Sequence, residues 1–173
     1  YLVVYANNAD GTPGYHLGFN LAQEGEAVYL YNDAARGGAL LDSVSYGPQL
    51  TDLSIGRLAD GAWALTVPTF GGPNQAAAIG DPTHLRLNEW LALGVIPFNN
   101  DFIELYNGHP LPVALGGLYL SDEVLGWRDR HPIPALSFIA GHGYQRLLRD
   151  GDPSQGPEHV NLGLRRDLGV IGL

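Results

Sequence analysis

The chain has 173 residues, of which 45% are apolar and 16% charged, and its formal net charge is −9. That is the balance of a globular chain, long enough to bury roughly 70% of its unfolded surface. All nine basic residues are Arg, with no Lys and no basic stripe to meet a phosphate backbone, so nucleic acid is excluded as a first expectation.

Short apolar runs alternate with turn residues along the whole chain, and with Gly 24 and Pro 12 this predicts an all-β fold. Residues 1–5 (YLVVY) read as a strand, residues 7–14 (NNADGTPG) as a loop, and residues 17–21 (LGFNL) as a half-buried strand. After a turn at Glu24-Gly25-Glu26, strands are expected at 27–31 and at 40–46 (LLDSVSY). The stretch at 54–57 leads into a turn at Asp60-Gly61, and a strand at 63–67 follows. Residues 68–74 are irregular. Residues 75–83 (QAAAIGDPT) form the boundary; a helix over 75–79 would be too short to stand alone.

Beyond the boundary, strands are expected at 85–91 (LRLNEWL), 102–106, 113–115 and 118–120, with Asn107-Gly108 and Gly116-Gly117 as turns. A loop over 123–134 follows, then strands at 136–140, 144–148, 160–164 and 168–173. No apolar run is long enough to span a membrane and no signal-peptide pattern is present. With Cys 0, a disulfide framework and a thiolate metal site are excluded. With Met 0, the chain is expected to be a processed or trimmed product, which is compatible with export.

Two groups of motifs carry a family resemblance. LRLNEWL, DFIELYN and PVALGGLYLSD, in that order and spacing, resemble the opening half of a lamin-tail domain. YLVVYA, FNLAQEGEAVYLY, LLDSVSYG, SIGRLADG and PTFGGPN resemble the closing half, with Phe70 departing from the usual Pro. The resemblance implies an immunoglobulin-like β-sandwich of lamin-tail type. It divides the chain into a closing part (residues 1–75), a linker (76–84) and an opening and middle part of a second domain (85–173). It also implies a non-catalytic structural or protein-interaction module of a larger, exported, bacterial protein, placed outside the cell or on its surface.

A repeat is visible without the family. Setting Tyr1 against Tyr144 gives a constant offset of 143, at which His16 meets His159, Leu17 meets Val160, Phe19 meets Leu162 and Leu21 meets Leu164. Glu24 then meets Asp167, Val28 meets Ile171 and Leu30 meets Leu173. A long period of this kind denotes duplicated supersecondary units. The chain thus holds two copies of the middle strands but one copy each of the opening and closing strands. Each domain is left with uncovered edges, and the expectation is completion by strand pairing, through self-association head to tail or through neighbouring domains.

Candidate chemistry is sparse. His16 and His159 have no metal-ligand spacing with any other His, and loop histidines beside turns are usually solvated. Asp101, Glu104 and Asp122 are carboxylates that general acid–base work would need in pairs, but at strand ends Asp more often bonds turn backbone. Asp150, Asp152 and Glu158, and Asn99, Asn100 and Asp101, are oxygen-rich loops without the register of a calcium loop. Ser43, Ser45, Ser54 and Ser121 lack a nucleophile elbow, and Gly71-Gly72 and Gly116-Gly117 open no phosphate-binding helix. Trp63, Trp90 and Trp127 suit a sugar platform or, more commonly, a core; Trp127, beside Arg128 and Arg130, is the candidate surface contact. No catalytic residue, metal ligand or cofactor is therefore assigned. A carbohydrate- or calcium-binding accessory module of an extracellular enzyme is the alternative.

Overall fold

A computed structural model describes residues 1–8, 12–95, 100–123, 125–162 and 171–173. The chain is all-β, in the sandwich class. Its only helical elements among the described residues are three-residue 3-10 turns at Ala34–Arg36, Pro82–His84 and Pro153–Gln155. Each is started by an Asp: Asp33, Asp81 and Asp152 accept from the backbone N–H of Ala35, Thr83 and Ser154. An Asp side chain two residues upstream satisfies a donor that has no partner inside so short a turn.

The best-packed part lies beyond residue 84. Strand β9 (Asp101–Asn107) is central, antiparallel on one side to β8 (Leu85–Leu91) and on the other to β14 (Tyr144–Arg149). Its sequence alternates, so Ile103, Leu105 and Asn107 all point into the interior. Against this sheet lie two short ladders, β10 (Val113–Ala114) with β13 (Phe138–Ile139), and β11 (Tyr119–Leu120) with β12 (His131–Pro132). Leu85, Ile103, Leu105 and Leu147 from the sheet meet Val113, Leu115, Leu120, Ile133 and Ile139, and Val160 and Leu162 close the same cluster. Each such side chain contributes about 1.5–3 kcal/mol on leaving water.

The earlier strands pair separately. β1 (Val4–Tyr5) lies parallel to β2 (Tyr15–His16), β3 (Glu26–Tyr31) antiparallel to β4 (Leu40–Tyr46), and β6 (Trp63–Val67) between β5 (Ser54–Arg57) and β7 (Gln75–Ala76). This portion meets the later one along a polar seam. Phe138 donates its N–H to the Pro48 carbonyl, and the Gln49 amide donates to the carbonyls of Gly47 and Leu136, both at 2.7 Å. Gly80 donates to Pro112. At Gly47 a Cβ would sit 2.0 Å from the Ser137 Oγ, so the approach there requires glycine.

Several expectations are corrected by this architecture. Residues 17–21 are not a strand, because Gly18 turns to a φ of 73° while Leu17 and Gly18 donate back to Tyr5 and Asn7. Residues 160–162 are likewise not in a strand, and residues 163–164 lie outside the described set. Of the strand expected at 168–173, residues 168–170 lie outside it too, and Gly172 makes a bridge to Ser121. The repeat pairs Leu21–Leu164 and Glu24–Asp167 also fall on undescribed residues. The expected loop at 123–134 contains β12, held because Ile133 and His131 are buried. Residues 75–76 extend the β5–β6 sheet and form no helix.

Asn107 is fully buried, and its amide group donates to the carbonyls of Leu111 and Ala140 at 2.9 Å each while its Oδ1 accepts from the N–H of His109. It pins two loops to the end of β9. Asn107→Ala leaves these groups unpaired and should cost about 2–4 kcal/mol in urea denaturation; Asn107→Asp, which places a carboxylate against two carbonyls, should cost more. Equal stability of wild type and Asn107→Asp would contradict this role.

Candidate functional site

The residues singled out from sequence are mostly bound up in local structure. Asp101 accepts from the N–H groups of Leu93 and Gly94 and faces Arg149 at 3.5 Å. Glu104 accepts from Asn88, and Asp122 pairs with Arg130 at 2.5 Å. The three carboxylates therefore hold turns and strands in place. Ser54 bonds Thr66, Ser43 follows Asp42 on β4, and Ser121 donates to the carbonyls of Glu123 and Trp127. Trp63 lies on β6 under Arg57, Trp90 is exposed on β8, and Trp127 lies in the loop under Arg130, so the three occupy three separate elements. Asn99 lies outside the described residues. Asp152 is turned to Ser154 and Gln155. Among the described residues no group of three or more His, Asp or Glu is placed to hold a metal ion.

Asp150 accepts from the N–H of Asp152 and pairs with His159 at 2.5 Å. Desolvation pushes the Asp150 carboxyl up, but the backbone bond from Asp152 and the His159 contact outweigh it and leave the group below its usual range. The same arrangement occurs near the start of the chain, where His16 Nδ1 meets Asn7 Oδ1 at 2.6 Å. Asn7 and Asp150, like His16 and His159, differ by the offset of 143.

The correspondence extends to the backbone. Tyr5 and His16 are partners in the parallel β1–β2 ladder, and Leu148 and His159, their counterparts at the offset, form a parallel bridge. Leu17 donates to the Tyr5 carbonyl at 3.0 Å, as Val160 does to Leu148 at 2.7 Å. One strand–loop–strand unit is thus built twice with the same register and the same His–Asx contact.

The surroundings of the two units differ sharply. In the later one Leu147, Val160 and Leu162 are 2%, 0% and 2% exposed, because β9 pairs with β14 and the core closes over it. Their counterparts Val4, Leu17 and Phe19 are 40%, 49% and 49% exposed. Among the described residues β1 is an edge strand in a two-stranded sheet, with Tyr1, Leu2 and Tyr5 also exposed. In the separate β3–β4 pair, Tyr29, Leu30, Tyr31, Leu40 and Leu41 are also each more than half exposed. Apolar side chains gathered beside an open strand edge are the usual marks of an interaction surface. The signal was in the sequence: apolar residues stand at the same positions of both copies.

No protein-family model, curated protein or solved structure matches this chain. The class that the fold and the site define is an all-β sandwich protein in which, among the described residues, β1 presents an exposed apolar edge. Among the described residues no helix is long and apolar enough to cross a membrane.

His131 offers a test of the packing that encloses the later unit. Burial pulls its imidazole below the usual 6.5. The folded chain therefore resists the proton that the unfolded chain takes up, and stability present above about pH 6.5 is lost as pH falls toward the lowered value. Unfolding midpoints measured from pH 7.5 to 5 should fall less steeply for His131→Gln than for wild type. Parallel slopes would mean that His131 is not held neutral by its surroundings.

Proposed function

We propose that this protein is a non-catalytic structural or protein-interaction module of lamin-tail type that binds protein partners by strand pairing at residues 1–31. The observation that carries this reading is the contrast between Leu17 and Phe19, each 49% exposed, and Val160 and Leu162, buried at the corresponding positions. A strand–loop–strand unit that is core material in one place and open in another is incomplete where it is open. The repeated register and the repeated His–Asx contact support descent of the two units from one duplicated element. The structural engagement of Asp101, Glu104 and Asp122 supports a role without acid–base chemistry. The lamin-tail resemblance adds the setting, a larger exported protein assembled from such domains. The acidic balance argues against nucleic acid as a partner.

An open edge and an apolar face associate weakly with copies of themselves when no other partner is supplied. Sedimentation equilibrium should show the mean mass of the purified chain rising with concentration. The double variant Leu17→Ser, Phe19→Ser should stay monomeric, with a urea midpoint close to wild type because both side chains are half exposed. A wild-type chain that remains monomeric across the same concentrations contradicts the reading.

A further inference from the structure

We propose that the open edge of β1 accepts an antiparallel strand of β9 type from a partner polypeptide, one whose residues opposite Val3 and Ala6 are uncharged. The proposal rests on the interaction-module reading and names the partner's chemistry.

The later unit shows what fits. There β9 lies along β14 with Leu147 opposite Ile103, Gln145 opposite Leu105 and Tyr144 opposite Tyr106. The Tyr106 and Tyr144 rings pack at 4.9 Å between centroids. At the offset of 143, Val4 stands for Leu147, Leu2 for Gln145, and Tyr1 is the same residue as Tyr144. A strand presenting Ile, Leu and Tyr at the positions of Ile103, Leu105 and Tyr106 therefore finds an apolar or aromatic partner at each on β1. Leu17 and Phe19 supply the apolar surface that Val160 and Leu162 supply in the later unit.

Charge separates this partner from the chain's own β9. In the later ladder Arg146 stands opposite Glu104, and Arg149 opposite Asp101 with an ion pair at 3.5 Å. The counterparts of Arg146 and Arg149 are Val3 and Ala6, and residues 1–31 contain no Arg or Lys but do contain Asp10, Glu24 and Glu26. A strand with carboxylates at those two positions would meet the neutral Val3 and Ala6 where Arg146 and Arg149 stand in the later unit. A strand neutral there avoids that cost, since unlike pairs across strands stabilise and unpaired charge beside an apolar face does not. Own β9 is already paired on both sides, so it does not compete with a partner strand for β1.

The test uses the full chain and two peptides spanning residues 100–108, one with the natural sequence and one carrying Asp101→Asn and Glu104→Gln. Amide hydrogen exchange is followed by mass spectrometry, with a scrambled peptide as control. The neutral peptide should slow exchange over residues 1–6 by about tenfold at saturation, the natural peptide should do so only at higher concentration, and the exchange of residues 144–149 should not change. Equal action of the two peptides, or protection by neither, overturns the proposal. A chain that self-associates through Leu17 and Phe19 yet ignores both peptides overturns this strand assignment alone and leaves the module reading in place. A chain that is monomeric yet protected by the neutral peptide upholds the strand assignment and removes self-association.

Discussion

The main hydrophobic core of this protein depends on the pairing of β9 with strands on both of its sides. The alternation in DFIELYN turns Ile103, Leu105 and Asn107 inward, and the neighbours on either side remove both edges from water. A strand so placed satisfies its backbone and buries a full face, which is what a two-stranded ribbon cannot do alone. Asn107 then converts the end of the strand into an anchor, because one amide meets carbonyls from two different loops. The short β10–β13 and β11–β12 ladders contribute few backbone bonds of their own, and their position follows from the core they share with β9.

The same physics explains the asymmetry between the two strand–loop–strand units. Sequence gives both units apolar residues at matching positions, and local geometry gives both the same parallel register. Local geometry does not decide burial. Burial comes from a third strand, which the later unit has in β9 and the earlier one lacks among the described residues. The earlier portion is held in the molecule by the polar seam around Gly47, Pro48 and Gln49, where glycine permits close approach and carbonyls find donors. That seam fixes the portion in place without covering Val4, Leu17 and Phe19.

The strands that alternate or carry β-branched and aromatic residues were legible in the sequence: β4, β6 and β8 have the bounds expected of them. The extended reading of residues 17–21 failed because Gly18 takes a left-handed conformation that alternation does not reveal. β12 was hidden because a two-residue strand in a polar segment is held by the burial of its neighbours, a tertiary effect. Two of the three 3-10 turns had a local signal, Asp followed by Pro at Asp81 and Asp152, that marks a cap as well as a turn. Gln49 and Asn107 carried no distinguishing signal, since an amide side chain reads as a surface or turn residue until its partners are known. The likeness of the two units was legible through the offset of 143, because apolar residues recur at matching positions even when packing is unknown.

Native-state hydrogen exchange at the backbone amides of Val4 and Leu147, followed from dilute to concentrated protein, tests the claim that the first unit is an open counterpart of the second. The account predicts rapid exchange at Val4 in dilute solution that slows as concentration rises, and slow, concentration-independent exchange at Leu147. Equal protection of the two amides in dilute solution, or a Val4 rate indifferent to concentration, would contradict it.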